Sequence, residues 1–290
     1  MQKYRVISTQ KQTARVINTE TQEQQACFFS RKYKPICGDF VDIQINKNEF
    51  IISRIHPQKN IFARANHKGL KQKIAANVDN QIIVVAVQPE PTRDLISRYL
   101  IGAYHCGTDA IIVFNKSDID AHYFDANIAV YQSLGYKTLL TNIKTAAGLK
   151  QLKSWMTGKT SIFVGMSGVG KSSISQIILQ NEIKTGEISK KTGKGSHVTS
   201  VTQLYKIPSS TGFLIDSPGV WEYGLWRMEA ADIAAGFIEF NPFIGQCKFS
   251  NCTHIHEPDC AVKQAVENKS ILSKRYRSYL RIIDSMKYWD

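Results

Sequence analysis

The sequence has no apolar run long enough to span a bilayer, and its start, Met1-Gln-Lys-Tyr-Arg5, lacks the apolar core of a signal peptide. Neither a membrane-spanning anchor nor a secretory route is expected, and the expectation is a cytoplasmic protein with no membrane partner. Cysteine is sparse at six residues; in a reducing compartment these argue against disulfides, so any cluster of them needs another explanation. Acidic residues are also scarce, 24 against 37 Lys and Arg, for a formal charge of +13. At 290 residues the chain is too long for one average domain and suits two or three.

The charge is uneven. Residues 1–76 hold 14 Lys/Arg against 5 Asp/Glu, residues 77–260 hold 16 of each, and residues 261–290 hold 7 against 3. A neutral centre between two basic flanks suggests a polyanion held by the flanks, though basic surface can also serve solubility alone.

The centre carries a phosphate cradle. Gly165, Met166, Ser167, Gly168, Val169, Gly170, Lys171 and Ser172 fit G-x-x-x-x-G-K-[ST], with an apolar run at 161–164 before them and a helical pattern from Ser173 onward. The glycines let backbone N–H groups surround an anion at a helix start, Lys171 meets the outer phosphates, and the Ser172 hydroxyl ligates Mg²⁺. Asn115, Lys116, Ser117 and Asp118 follow the apolar run 110–114 as N-K-x-D. The Asp118 carboxylate can accept from guanine N1–H and its exocyclic amine, which adenine cannot match, so GTP and GDP are the expected ligands. A third piece, Asp216-Ser-Pro-Gly219, ends the strand 212–215 as D-x-x-G, with Asp216 directed at Mg²⁺ and the Gly219 amide at the γ-phosphate. In most GTPases the phosphate loop comes first and the base reader last. Here the base reader precedes the phosphate loop, so the domain is circularly permuted.

Around these motifs the chain reads as three parts: an OB-type barrel over 1–76, a permuted α/β P-loop GTPase domain over 77–225 and a zinc-binding helical domain over 226–290. The first shows β-rich runs at 4–8, 13–17, 25–29, 40–45 and 49–55, with Arg31-Lys-Tyr-Lys34 on a loop suited to RNA and Arg54 to Lys73 extending the basic surface. The second alternates strands (81–87, 110–114, 137–141) with helices (121–134, 149–156), as in a doubly wound sheet. Thr141-Asn142 falls where a base-supporting Ser-Ala is usual and matches it poorly, so only backbone contacts are expected there.

Two absences bear on catalysis. Where many GTPases place a water-orienting Gln after D-x-x-G, this chain has Val220, which can neither donate nor accept. His197, in the Gly- and Lys-rich loop 186–200, is the nearest substitute as a catalytic group beside Lys171, although a lone loop histidine can equally be surface. Thr199 is the candidate third Mg²⁺ ligand in that loop, with Ser200 as the alternative. Hydrolysis should be slow without a partner that orders the loop.

Cys247, Cys252, His254 and Cys260 form C-x4-C-x-H-x5-C, a closed set for one structural Zn²⁺, with His256 as an alternative fourth ligand. Helices follow at 261–267 and 271–288, the second carrying Lys274, Arg275, Arg277, Arg281 and Lys287 among tyrosines, as an RNA-facing or simply solvated surface.

With its permuted motif order, β-rich start, zinc knuckle, Glu257-Pro-Asp-Cys-Ala-Val-Lys263 and Arg275-Tyr-Arg-Ser-Tyr-Leu280, nearly the whole chain resembles the RsgA (YjeQ) family of small ribosomal subunit-dependent GTPases. The resemblance implies a GTPase of late small-subunit maturation, stimulated by that subunit and bound to its rRNA. It implies Zn²⁺ at Cys247, Cys252, His254 and Cys260, and a role for His197, since Gly195-Ser-His-Val-Thr-Ser200 matches the family's Gly-Arg-His-Thr-Thr-Thr loop except at Ser196, Val198 and Ser200. Met166 stands where the family more often has Gln. A monomer is expected. The alternatives are a GTP-regulated RNA-binding module with incidental hydrolysis, and a GTPase serving another polyanion such as the large subunit or a membrane surface.

Overall fold

Alternating apolar residues over the first 55 positions close into a barrel. In the computed structural model, which describes residues 4–46, 48–66, 68–120, 122–180, 201–217 and 225–287, strands β1 (Tyr4–Gln10), β2 (Thr13–Asn18), β3 (Gln24–Phe28), β4 (Phe40–Asn46) and β5 (Glu49–Ile55) pair in the closed order β1-β2-β3-β5-β4. One side chain in two points inward, so Val6, Ala14, Val16, Cys27, Val41 and Ile52 fill the interior. The expected five-strand barrel is present.

The stretch read only as basic surface is a hairpin, β6 (Ile61–Ala65) and β7 (Lys71–Ala76). Its turn is built by Asn66, whose Oδ1 accepts from the amides of Lys68 (2.8 Å) and Leu70 (3.0 Å). Phe62, Ala63 and Ala75 are fully buried and share the main core with Ile7, Ile17 and Cys37 of the barrel part and with α1, and the Ala76 amide donates to the Cys37 carbonyl at 2.8 Å, so the hairpin packs between the barrel and the following domain.

The next domain is a sheet of β8 (Asn80–Ala86), β9 (Asp109–Asn115), β10 (Lys137–Thr141), β11 (Thr160–Val164), β12 (Gln203–Lys206) and β13 (Phe213–Asp216), in the order β10-β9-β8-β11-β13-β12. All pairings are parallel except that of the edge strand β12. Every residue of β8 is buried, as a strand covered on both faces requires. Ile83 and Val85 pack toward α1 (Leu95–Cys106) through Tyr99 and Leu100; Ile82 and Val84 pack toward α3 (Leu149–Met156) and α4 (Lys171–Ile178) through Leu152 and Ile174. The short helix α2 (Asp125–Ser133) covers β10. Strand order reverses at β8, with β9 and β10 to one side and β11 to the other, and that reversal opens a crevice at the strands' carboxyl ends.

One buried cation ties the barrel to this sheet. Arg5 is 4% exposed, donates from Nη2 to Thr160 Oγ1 (2.8 Å) and lies against the rings of Phe40 (5.1 Å) and Phe213 (4.9 Å). Burial pulls it down to about 10, so it remains charged at neutral pH.

The last part contains α5 (Ala230–Ala235), a 3₁₀ turn Ile238–Phe240, the segment 247–260, α6 (Ala261–Glu267) and α7 (Ser273–Met286). Of the cations read as the surface of α7, Arg275 requires correction. Arg275 is 3% exposed, pairs with Glu239 at 2.6 Å, donates to Ser97 Oγ at 2.7 Å and lies 4.6 Å from the centre of the Phe237 ring. Tyr279 is fully buried, and Arg281 donates to the Asp94 carboxylate at 2.7 Å. A cation and a tyrosine counted as surface are core here because a carboxylate, a hydroxyl and aromatic faces await them from three other elements. Lys274, Arg277 and Lys287 are exposed.

Candidate nucleotide and metal sites

Two loops leave the carboxyl ends of β9 and β11 and meet across β8. The loop 165–170 is shaped by glycines: at Gly165 (φ +146°) a Cβ would lie 2.2 Å from the Val84 carbonyl oxygen, and at Gly170 (φ +98°) it would lie 2.3 Å from Asn115 Nδ2. Space and backbone therefore both demand glycine at these positions. Val169 is buried beneath the loop, while Ser167, Gly168, Ser172 and Ser173 are exposed and Met166 is partly covered. Lys171 bends back so that Nζ donates to the carbonyls of Gly165 (2.8 Å) and Met166 (2.6 Å). Burial pulls Lys171 down to about 8, partly offset by Asp216; burial likewise raises Asp216, partly offset by Lys171. The end of β13 thus faces the phosphate loop with a carboxylate.

On the other side, Asn115 is fully buried and joins the two loops. Its Nδ2 donates to the Val169 carbonyl (2.8 Å), and its Oδ1 accepts from Thr141 Oγ1 (3.0 Å). Lys116 adopts φ +59° and donates to the Gln88 carbonyl at 2.6 Å. Ser117 donates from both its amide and its hydroxyl to the Thr141 carbonyl, each at 3.3 Å. Asp118 pairs with Lys144 at 2.7 Å, a hydrogen bond that lowers its pKa.

Thr141-Asn142, expected to offer the base only backbone contacts, shapes the site through side-chain bonds within the protein. The Thr141 hydroxyl holds Asn115, and Asn142 Oδ1 accepts from the Lys144 amide at 2.9 Å, shaping the turn that brings Lys144 to Asp118. The threonine at the carboxyl end of β10, facing the Asn of N-K-x-D across one strand pair, was the available signal. Thr141→Val keeps the shape but leaves the buried Asn115 oxygen without its donor, at a cost of about 1–3 kcal/mol. GDP affinity, measured with a fluorescent analogue, should fall about tenfold or more and recover in Thr141→Ser; equal affinity in all three proteins would show that Asn115 needs no such support.

His197, Thr199, Ser200, Gly219 and Val220 lie outside the described residues.

The second cluster is in the segment 247–260. The ligand atoms of Cys247, Cys252, His254 and Cys260 all lie within 4.8 Å of one another. Cys247 Sγ is 3.9 Å from Cys260 Sγ, and His254 Nδ1 is 3.5 and 3.4 Å from these two sulfurs. A tetrahedral ion with Zn–S of about 2.3 Å and Zn–N of about 2.0 Å needs edges of roughly 3.5–3.8 Å, so the set fits Zn²⁺. His254 takes part rather than His256, which is exposed. Glu257 organises the backbone between the ligands. Burial opposes its ionisation, but hydrogen bonds from the Thr253 hydroxyl (2.6 Å) and the amides of Thr253 (2.7 Å) and Ile255 (3.0 Å) outweigh that and hold it at about 2. From α7, the Tyr276 hydroxyl donates to the His254 carbonyl (2.8 Å) and the Tyr279 hydroxyl to that of Thr253.

Comparison with known proteins agrees with this arrangement. The family model described as RsgA GTPase matches residues 55–226. The chain belongs to the RsgA GTPase family. The small ribosomal subunit biogenesis GTPase RsgA of Hahella chejuensis is 41% identical over 251 residues, 84% of this chain and 71% of that protein. The small ribosomal subunit biogenesis GTPase RsgA 1 of Vibrio vulnificus is 39% identical over 241 residues, 81% and 68% of the two chains. Among solved structures, YjeQ from Thermotoga maritima superposes with a TM-score of 0.77 at 28% identity, covering 98% of this chain and 97% of that one. YloQ, described as a circularly permuted GTPase, gives 0.74 at 26% identity, covering 99% and 95%. As a member of the RsgA GTPase family the chain is a GTP hydrolase with the permuted G domain, preceded by the five-strand barrel and followed by the Cys3His cluster.

Proposed function

We propose that this RsgA-family member hydrolyses GTP to GDP and phosphate in the late maturation of the small ribosomal subunit, in the cytoplasm, as a monomer bound to that subunit's rRNA. The observation that carries the nucleotide part is the Asn115–Val169 hydrogen bond, which joins the base-reading loop and the phosphate cradle in one crevice. The subunit part is supported by the names of the relatives from Hahella and Vibrio and by a surplus of 37 basic over 24 acidic residues. Among the described residues no helix is long and apolar enough to cross a membrane. The working units are residues 1–76 (RNA-binding barrel), 77–225 (GTPase) and 226–290 (zinc domain).

In this reading Asp118 accepts from guanine, with Asn115, Lys116 and Ser117 shaping its loop. Gly165, Met166, Ser167, Gly168, Val169 and Gly170 wrap the phosphates, Lys171 and the amides of Ser172 and Ser173 meet them, and the γ-phosphate is the partner of the Gly219 amide. Ser172, Asp216 and Thr199 would hold Mg²⁺, for which hydroxyl and carboxylate oxygens are the fitting donors; when bound, the ion would supply positive charge against the developing phosphate charge. Cys247, Cys252, His254 and Cys260 would hold one structural Zn²⁺. His197 orients the attacking water in the subunit-bound protein.

GTP turnover by the free protein, with purified small subunits and with large subunits, tests this. Strong stimulation by small subunits alone, lost in His197→Ala, is the expected result. If neither subunit stimulates while RNA affinity still responds to GTP versus GDP, the chain is a nucleotide-regulated RNA binder instead.

A further inference from the structure

A cleft outside the nucleotide crevice lies where α1, α2 and α7 converge, and it has a volume of about 800 Å³. Its floor is set by Asp94 and Arg281. Asp94, at φ +66° before α1, makes no side-chain hydrogen bond to its own helix and instead gives its carboxylate to Arg281 Nε at 2.7 Å. That pairing neutralises both groups and fixes α7 against α1. Three further cations line the opening: Arg93 from the loop before α1, and Lys274 and Arg277 from α7. All three are exposed, and among the described residues no carboxylate forms an ion pair with any of them. Lys274 does reach a neighbour, donating to the neutral Asn127 amide across the cleft at 3.2 Å. Tyr123 stands on the rim, 39% exposed, its hydroxyl donating to Glu90 at 3.0 Å.

Such a site has a net positive charge, a partly exposed aromatic ring and an amide able to meet a base edge. Its volume is at the upper end of small-ligand clefts, enough for a strand of one or two nucleotides and too small for a duplex. Unpaired RNA is bound in this manner, by cations along the backbone and aromatic rings under the bases. An acidic peptide would use the charge but leave the ring and amide idle.

We propose that the cleft between α1, α2 and α7 binds a short unpaired RNA segment, with Arg93, Lys274 and Arg277 on its phosphates and a base against Tyr123. This rests on the reading that RNA is the partner, and it adds a second contact surface, separate from the barrel, formed jointly by the GTPase and zinc-bearing parts.

The test uses the full chain and fluorescein-labelled hexauridylate carrying one 4-thiouridine. The protein with Arg93→Gln, Lys274→Gln and Arg277→Gln should bind about tenfold or more weakly. Its log-log salt slope should fall by about 2, three phosphate contacts at roughly 0.7 each. Crosslinks in the unaltered protein should map to Tyr123 or to peptides spanning Arg93 or 274–281, and Tyr123→Ala should remove the former. GDP binding, unchanged in each variant, certifies that the fold survives. An unaltered affinity and slope in the triple variant, crosslinks confined to the barrel, or equal displacement by tripolyphosphate or polyglutamate would overturn the proposal. Stimulation by small subunits is scored separately: its absence in the unaltered protein removes the ribosomal reading, while the oligonucleotide data still decide the cleft.

Discussion

Cys260→Ser is expected to unfold the segment 247–260 and to loosen α7 while leaving the nucleotide crevice intact. Cys260 is 1% exposed, and its sulfur lies 3.9 Å from Cys247 Sγ and 3.4 Å from His254 Nδ1. The segment has no strand or helix of its own. Without an ion, three thiols and an imidazole share a largely buried volume with only weak sulfur hydrogen bonds to offset their desolvation. With Zn²⁺ the same crowding becomes coordination. Structural zinc sites contribute an apparent 10–16 kcal/mol at pH 7, of the same order as the whole stability of a domain, about 5–15 kcal/mol. No rearrangement of the remaining contacts replaces that. The Tyr276 and Tyr279 hydroxyls, which donate to carbonyls at 254 and 253, would lose fixed acceptors, and the packing of Tyr279 on Phe237 and Phe240 would slacken. Metal analysis should find one zinc per chain in the parent protein and less than a tenth of that in the variant. Near-ultraviolet dichroism should lose its tyrosine signal, and thermal unfolding should gain an early, separate transition. GDP affinity should remain within about twofold. A variant that melts in one transition at the parent's temperature would show that the cluster is not a structural metal site.

The parts of this molecule that could be read directly from sequence are those where chemistry or sterics leaves little choice of residue. A phosphate loop must carry glycine where Gly165 faces the Val84 carbonyl and where Gly170 faces Asn115, so the pattern is visible in eight consecutive letters. The zinc ligands are legible for the same reason, since coordination needs particular atoms at short spacing. Thr141 was less visible because its hydroxyl serves a partner 26 residues away, and threonine at a strand end has many ordinary uses. Arg275 was misread because charge argues for exposure unless its partners are known, and those partners, Glu239 and Ser97, are 36 and 178 residues distant. The hairpin of β6 and β7 did leave a local signal, Asn66 and Gly69 between two β-capable runs. The density of lysines there drew attention to surface charge instead, although Phe62 and Ala75 are fully buried.

Lys171→Ala is expected to lower the rate of single-turnover GTP hydrolysis about 10²–10³-fold, the range seen when one preorganised donor to a developing charge is removed. In the present arrangement Nζ donates to the carbonyls of Gly165 and Met166, which close the loop on itself, while burial pulls the group down to about 8. A polyphosphate entering the loop supplies negative charge next to that ammonium and raises its pKa again. The sign of the linkage follows. Below about 8 the lysine is charged with or without nucleotide, and this group gives affinity no dependence on pH. Above about 8 the free protein has lost the proton, binding must take one up, and affinity declines as the pH rises toward the higher pKa of the bound form. Calorimetry at pH 8.5 in two buffers of different ionisation enthalpy should therefore show proton uptake on GDP binding by the parent protein and none by Lys171→Ala. Arginine should not rescue the variant, because its planar fork cannot replace a compact ammonium inside a loop whose carbonyls approach to 2.6 and 2.8 Å. Equal uptake in the parent and alanine proteins would place the titrating group elsewhere in the crevice, with Asp216 the next to substitute, since burial raises its pKa and Lys171 alone is seen to offset that.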